Sequence, residues 1–237
     1  MNKINLNNVT LVTVTSIDLH DTVDALLYNL KGVEFSSVKF ISHQRPDNLP
    51  RSVEYCQCDK ISTLEEYSKF MIYDLKDHVD TAFCLTIQRD GVIVNPKRWK
   101  QEFLKYDYIG APWPIDDAFR DPAGNLIRVG NGGFSLRSKK LLELASREKI
   151  PATAHSGCFN EDAFMCVQYR HLYEKNGIRF APVDVAKYFA HEIMVPEIKG
   201  IKPFGFHKYR KQNRFYPKFP SDVKKYIRKI LYRFEMY

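Results

Sequence analysis

Two acidic positions, far apart along the chain, carry the side chains best suited to catalysis. Asp90 follows the apolar stretch 81–88 and stands beside Gly91, which lets the backbone turn or approach a ligand. Glu161 and Asp162 stand at the predicted start of a helix. Carboxylates can hold a divalent cation or take a proton from an attacking hydroxyl group. Acids also cap helices, so a capping role is the alternative for the second position.

A glycine-rich turn and a rigid aromatic turn lie between these positions. Residues 130–133 read Gly-Asn-Gly-Gly and lack the spacing of a dinucleotide fingerprint or a P-loop. They predict either a tight turn or a close approach of the backbone to a substrate. Trp113 stands between two prolines. It is either a buried anchor or an aromatic surface on which a sugar stacks.

The elements that must position these residues follow an α/β order. Strand 9–15 is followed by a helical pattern that ends near Gly32 and then by strand 38–41. Such a unit predicts a parallel sheet whose ligands bind beyond the carboxyl ends of the strands. Further along, the pattern predicts helices over 63–78, 95–104, 138–147 and 161–175, strands over 81–88 and 178–180, extended segments from 108 and over 127–136, and a polar loop over 115–125.

The composition is that of one globular domain with a tail. The 237 residues contain no apolar run of the roughly 20 residues that cross a bilayer, and the start lacks a signal-peptide pattern. We therefore expect a cytoplasmic protein. The five cysteines lack the paired spacing of a zinc site, which predicts reduced and mostly buried thiols. A nucleophilic Cys158 with His155 as its base is the alternative.

The positive charge is concentrated near the end of the chain. From Lys199 onward there are twelve basic and two acidic residues, whereas the preceding chain is slightly acidic. A nucleic-acid-binding domain would carry basic residues across its binding surface, so no nucleic-acid partner is expected. Over 221–234 the apolar and basic residues separate on a helical projection. This pattern predicts a tail, 209–237, that lies on an anionic membrane or docks on the domain formed by 1–208.

Six ordered motifs identify a family resemblance. They are QRDG (88–91), NP with a following Trp (95–99), YDYIGAPW (106–113), VGNGGFSLRS (129–138), NED (160–162) and PFGFH (203–207). They closely resemble the motifs of a bacterial family catalogued as a domain of unknown function and grouped with GT-A glycosyltransferases. The resemblance implies a GT-A-like, Rossmann-like α/β fold, a three-layer sandwich around a mostly parallel mixed sheet. It also implies transfer of a sugar from a nucleotide-sugar donor to a glycan or lipid-linked glycan, in bacterial surface polysaccharide or lipopolysaccharide synthesis.

The resemblance implies a role for each matched acidic position. The segment 88–90 takes the place of the Asp-x-Asp motif, which binds the cation and the sugar nucleotide, but Gln88 replaces the first acid. A Mn²⁺ or Mg²⁺ ion would then depend on Asp90 and His207. Asp162 would be the general base of an inverting displacement, and Glu161 would orient the acceptor. Because Gln88 departs from the motif, a non-catalytic carbohydrate- or nucleotide-binding module is the alternative.

The remaining expectations concern substrate contacts. The resemblance implies that Thr15 and Ser16 contact the nucleotide and that Gly132 and Gly133 form the floor between donor and acceptor. The expected acceptor contacts are Trp113, Asn131 and Phe134. Arg128 and Arg137 are candidates for pairing with phosphate. An ordinary salt bridge is the alternative for either arginine. The loop 115–125 is a candidate lid that excludes water when the donor binds.

Overall fold

The computed structural model describes residues 3–155 and 157–208. The strands are β1 (Ile4–Val14), β2 (Val33–Ser42), β3 (Glu54–Gln57), β4 (Phe83–Ile87), β5 (Val92–Ile93), β6 (Tyr108–Ile109), β7 (Ala111–Pro112), β8 (Val129–Gly130), β9 (Phe134–Ser138), β10 (Ala190–His191) and β11 (Gly205–Phe206). The tail 209–237, with the helix predicted over 221–234, lies outside the described residues.

The helices alternate with these strands along the chain. The α-helices are α1 (Leu19–Asn29), α2 (Leu64–Lys69), α3 (Lys139–Arg147), α4 (Glu161–Ala163), α5 (Arg170–Lys175) and α6 (Val183–Phe189). Phe70–Asp74 and Phe164–Gln168 are π-helical, and Leu75–His78, Pro96–Arg98, Gln101–Lys105, Asp117–Phe119 and Pro196–Ile198 are 3₁₀ turns. None of the helices in the described part of the chain is both long and apolar enough to span a bilayer.

A six-stranded sheet with the order β3-β2-β1-β4-β9-β6 forms the centre of the protein. The first four of these strands run parallel, and β9 runs antiparallel to both β4 and β6. One hydrophobic cluster joins the sheet to α1 and α6, and a second joins it to α2, α3 and the helical segment after Asn160. The predicted α/β class with a mostly parallel mixed sheet is confirmed.

A small second sheet, β10-β11-β5, carries the chain away from Asp90. Its strand β5 pairs antiparallel with β11, so that Ile93 faces Gly205 and Val92 faces Phe206. Ala25 of α1 packs against Val92 and Phe206. This sheet brings the PFGFH motif of the sequence beside the strand that follows Asp90.

Four predicted elements differ from the structure. The helix over 95–104 is wrong, because Trp99 is extended while its ring packs on Phe103 and Phe204, and only 3₁₀ turns flank it. The helix over 161–175 is broken into α4, a π-helical turn and α5. The segment 178–180 forms only a single bridge, between Phe180 and Tyr108. The extended segment 127–136 divides into β8 and β9 because Asn131 has φ = 93°.

The cysteines follow the predicted state only in part. All five are free, but only Cys84 and Cys166 are buried, so the expectation that most are buried is wrong. Cys158 is exposed. The ring of His155 lies with Nε2 at 3.1 Å from the carbonyl oxygen of Ala118. The described contacts therefore direct this imidazole to the loop 115–125 and give no support to a Cys158 nucleophile.

Candidate active site

A cavity of about 440 Å³ opens at the carboxyl ends of β1 and β4. Thr15 and Ser16 line it from the end of β1, and Gln88 and Asp90 line it from the end of β4. These strands are parallel neighbours, so residues more than seventy positions apart meet at one edge of the sheet. The structure thus brings together four of the six residues that we expected to contact the donor. The other two, Gly132 and Gly133, do not line this cavity.

The opposite wall of this cavity was missed by the sequence analysis. It consists of residues 61–64 and Tyr67. The backbone N–H of Ile61 donates a hydrogen bond of 2.9 Å to Oγ of Ser16, which fixes the wall against the end of β1. Thr63 caps α2 in a capping box with Glu66, and that signal was visible in the sequence. Its packing against Ser16 was not, because it depends on the tertiary arrangement.

Gln88 is held in place from two sides. Its side-chain Nε2 donates a hydrogen bond of 3.2 Å to the Tyr67 hydroxyl group, and its backbone N–H donates to the carbonyl oxygen of Gly133 at 3.0 Å. Burial, and next the charge of Glu161, raise the pKa of the Tyr67 phenol, which therefore stays neutral. The Gln88 amide is thus a neutral group held between Tyr67 and the glycine turn.

His207 lies between two carboxylates. Its Nε2 is 3.3 Å from Oδ1 of Asp90, and its Nδ1 is 3.5 Å from Oε1 of Glu192, a residue that the sequence analysis missed. Burial opposes the charged imidazole, but the nearby carboxylates of Asp90 and Glu192 outweigh it and raise the pKa of His207 to about 9. His207 and Asp90 are therefore brought together, as the motifs predicted.

The residues around His207 fit part of a cation site. Asp90 offers a carboxylate oxygen to this space, and His207 would offer a ring nitrogen once it has lost its proton. Glu192 stands behind the ring as carboxylates do behind metal-binding histidines. Oε2 of Glu192 is buried without a hydrogen-bond partner among the described residues. The described residues nevertheless include no group of three His, Cys, Asp or Glu side chains arranged to hold a metal ion.

Asp162 lies against the glycine turn. Its Oδ2 accepts a hydrogen bond of 3.0 Å from the backbone N–H of Gly132, and its Oδ1 accepts one of 2.8 Å from that of Ala163. Burial, followed by the charge of Glu161, raises the pKa of Asp162 to about 7. A carboxylate with this pKa can both lose and accept a proton near neutral pH, which suits a general base.

Glu161 faces the protein interior. Its Oε1 is 2.9 Å from Nη2 of Arg137, and both side chains are almost completely buried. Nε of Arg137 also donates a hydrogen bond of 3.0 Å to Oγ of Ser135. The expectation that Glu161 orients the acceptor directly is therefore wrong, and so is phosphate pairing by Arg137. Each charge neutralises the other inside the domain.

Gly132 and Gly133 connect the two acidic positions. A Cβ atom at Gly132 would lie 2.1 Å from Oε1 of Glu161, and one at Gly133 would lie 2.0 Å from Nε2 of His207. Neither distance is compatible with a side chain. The backbone of this turn therefore separates the Glu161–Asp162 pair from His207 by the thickness of one peptide chain.

The three expected acceptor contacts lie inside the domain. Trp113 is 4% exposed, and its ring stacks on Phe119 at a centroid distance of 4.4 Å. Phe134 is fully buried. Asn131 is also buried, and its Oδ1 accepts a hydrogen bond from the N–H of Gly133. These side chains support the turn from behind and do not reach an acceptor, so the predicted direct contacts are wrong.

Arg128 and the loop 115–125 are tied by local contacts. Nη2 of Arg128 is 2.6 Å from Oε1 of Glu197, which is the salt bridge that we kept as the alternative to phosphate pairing. Within the loop, Arg120 pairs with Asp117 at 2.7 Å. These contacts do not test movement of the loop, so its role as a lid stays a prediction.

Comparisons with known proteins give a family and a fold for this chain. The family model described as "Protein of unknown function (DUF5672)" matches residues 51–207. A search among curated protein sequences finds no match. Among solved structures, an active-site mutant of LgtC is similar with a TM-score of 0.50 and 9% identity, over 93% of this chain and 95% of that chain. The similar structures include GT-A glycosyltransferases, so the predicted fold is confirmed.

Two further solved glycosyltransferases have lower TM-scores. GlyE of Streptococcus pneumoniae TIGR4 has a TM-score of 0.46 and 10% identity over 94% of this chain, which spans 59% of the length of GlyE. The mannosyltransferase PcManGT of Pyrobaculum calidifontis, solved with GDP-Man and Mn²⁺, has a TM-score of 0.45 and 13% identity, over 75% of this chain and 55% of that chain.

Proposed function

The chain belongs to the DUF5672 family, and we propose that it is a nucleotide-sugar-dependent glycosyltransferase with Asp162 as its general base. One observation carries the proposal. The Gly132–Gly133 turn contacts Asp162 on one side and His207, with Asp90, on the other, at the edge of a cavity beyond the strand ends. The candidate base, Asp162, and the candidate diphosphate site at Asp90 and His207 thus lie on either side of two adjacent glycines, which have no side chains to separate them further.

The cavity suits a nucleotide. Its volume of about 440 Å³ lies in the range of small-molecule sites. Ile17 and Leu64 line it although they are 69% and 54% exposed, and such apolar side chains can cover the faces of a base. Thr15 and Ser16 supply hydroxyl groups near the ribose in this arrangement. These features support a donor site, with Gln88 and Asp90 toward the phosphates.

Asp162 would act on the acceptor. Its carboxylate takes the proton from an acceptor hydroxyl group while that oxygen bonds to the anomeric carbon of the donor sugar. The bond from this carbon to the diphosphate breaks, and its electron pair leaves with the diphosphate. Attack opposite the leaving group inverts the configuration. The raised pKa of Asp162, about 7, supports this role because the base is then matched to neutral pH.

Asp90 and His207 would hold a Mn²⁺ or Mg²⁺ ion when the donor binds. The ion supplies positive charge that stabilises the departing diphosphate. The proximity of the two side chains supports this part of the proposal. Glu192 would orient the ring of His207 through Nδ1.

Glu161 and Arg137 would act as positioning residues. Their buried ion pair places Glu161 under Gly132, whose N–H holds Asp162. A buried ion pair contributes little net stability, but it imposes one arrangement on its neighbours.

The acceptor and the location complete the proposal. We assign a glycan or lipid-linked glycan acceptor in bacterial surface polysaccharide or lipopolysaccharide synthesis, at the cytoplasmic face of the cell membrane. The basic, amphipathic sequence of 221–234 supports membrane attachment, because several lysines and arginines near an anionic bilayer each contribute about 1 kcal/mol.

A second candidate is a non-catalytic carbohydrate- or nucleotide-binding module. The observation that favours it is the neutral Gln88, held by Tyr67 at the place of the first acid. A single result separates the two, because any sugar transfer or donor hydrolysis excludes the module.

The test has two stages. Nucleotide sugars are first screened by thermal shift with and without Mn²⁺ or Mg²⁺, since a ligand of the folded state raises the melting temperature. The stabilising donor is then incubated with glycan acceptors, and the released nucleotide is measured. We expect one donor class to stabilise and turn over. If no nucleotide sugar binds, the proposal is wrong.

A further inference from the structure

A second cavity, larger in volume than the first, lies beside β5 of the small sheet. Its volume is about 690 Å³, and Lys31, Lys97, Arg98 and Lys202 all line it. These cations come from three separate segments: the end of α1, the turn after β5 and the segment before β11. No Asp or Glu belongs to the lining, and within residues 3–155 and 157–208 none of the four forms an ion pair with a carboxylate.

Four cations gather at this cavity although the chain before Lys199 is slightly acidic. Four like charges around one concave surface repel one another and create a positive potential in the cavity. An anion that enters the cavity removes this repulsion, whereas the flat surface of a bilayer cannot enter it.

The cavity is connected to the candidate active site by two paired strands. β5 runs between Asp90 and Asn95, and β11 runs between Lys202 and His207. Nδ2 of Asn95 donates a hydrogen bond of 2.8 Å to the carbonyl oxygen of Pro203, which holds the far ends of both strands together. Five residues of extended chain span at most about 18 Å. Asn95, which lines the cavity, therefore lies within this distance of Asp90, and Ile4, the first residue of β1, places the cavity toward the amino ends of the strands.

We propose that this cavity binds the acidic groups, carboxylate or phosphate, of a charged saccharide. The further statement that this saccharide is the acceptor rests on the proposed function. Arg98 offers a planar fork that pairs with either group, and the lysines add charge around it. Tyr28, over whose ring Lys31 lies at 4.7 Å, adds an aromatic surface to the same wall. The protein would then select acidic glycans over neutral ones.

The test compares two charge-reversed variants of the full chain. Lys97→Glu/Arg98→Glu changes the cavity, and Lys175→Glu/Arg179→Glu changes two exposed cations outside its lining by the same net charge. Binding of trigalacturonate, a saccharide with three carboxylates, is measured by calorimetry without donor, with maltotriose as the neutral probe. We expect the cavity variant to bind trigalacturonate at least tenfold more weakly at an unchanged melting temperature, and the control variant to differ less than twofold from the unmodified protein.

Other outcomes would overturn the inference. Equal losses in both variants would mean that the binding is unspecific attraction to net charge, and equal binding of maltotriose would mean that the acidic groups are not recognised. Vesicles containing phosphatidylglycerol are a third probe. If the cavity variant binds these vesicles more weakly but binds trigalacturonate as the unmodified protein does, the surface faces a membrane instead. This binding measurement contains no donor, so its result does not depend on sugar transfer. A failure to transfer sugar in a separate assay would contradict the proposed function alone.

Discussion

The backbone N–H of Gly132 donates a hydrogen bond of 3.0 Å to Oδ2 of Asp162. This contact joins the turn between β8 and β9 to a residue of α4 that lies thirty positions later in the chain. It fixes the position of the carboxylate. Asp162 is nevertheless only partly buried, so solvent can still reach the residue. The predictions below depend on this arrangement and on its neighbours.

Asp162→Asn should retain donor binding and lose transfer by at least about 100-fold, since the amide can still accept the Gly132 hydrogen bond but cannot take a proton. Released nucleotide reports transfer, and thermal shift reports donor binding. Asp184→Asn, at the exposed start of α6, is the matched control and should keep full activity. Transfer at the unmodified rate in Asp162→Asn would remove Asp162 as the base.

The stability of the protein should depend on the charge of Asp162. Its pKa is about 7 in the folded protein, above the unfolded value of about 3.9, so between these values the folded state binds more protons. Stability from this group therefore falls as the pH rises from about 4 to 7. Relative to the unmodified protein, Asp162→Asn should gain melting temperature at pH 8 and gain less at pH 5. A difference that is independent of pH would contradict the raised pKa.

Gly133→Ala should weaken donor binding at least tenfold, because the added Cβ would lie 2.0 Å from Nε2 of His207 and must displace the ring from Asp90. Donor titrations followed by calorimetry measure the effect. Gly200→Ala is the control, since a Cβ there has nothing within 4 Å, although its φ of +77° adds backbone strain. Equal donor affinity in both variants would show that the position of His207 is unimportant.

Arg137→Met should destabilise the protein by about 3–5 kcal/mol, because it leaves Glu161 buried without its partner. Arg147→Met, which breaks the exposed pair with Glu148, should cost less than about 1 kcal/mol. Urea unfolding measures both values. The double variant Arg137→Met/Glu161→Leu should recover stability without recovering transfer. Full transfer in a stable double variant would show that the pair does not position Asp162.

Asp90→Asn should abolish the additional stabilisation that Mn²⁺ gives to the donor-bound protein, since the loss of one charged oxygen leaves only His207 as a protein ligand. Melting temperatures with donor, with and without Mn²⁺, measure the increment. Asp47→Asn, an exposed acid outside the cavity, should leave it intact. If chelator-treated protein binds and turns over the donor unchanged, the metal roles of Asp90 and His207 are wrong.

Local sequence patterns determined the α/β order, the place of Asp90 just after β4 and the cap of α2. Each depends on residues that are close in sequence, such as an apolar strand followed by glycine or the Thr63 and Glu66 capping box. The family motifs added His207 and the role of Asp162 as a base. The same patterns failed at 95–104, where the tertiary contacts of Trp99 with Phe103 and Phe204 override a helical pattern.

Only the tertiary structure decided what each polar side chain faces. It turned Glu161 inward to Arg137, placed Glu192 behind His207, and buried Trp113 and Phe134 behind the turn. It also gathered four cations from three segments around one cavity. The sequence alone determines which residue types are present and their local conformation, because these depend on neighbours along the chain. Partners such as Arg137 and Glu161 lie on different elements, so their contact exists only after the sheet and helices have packed.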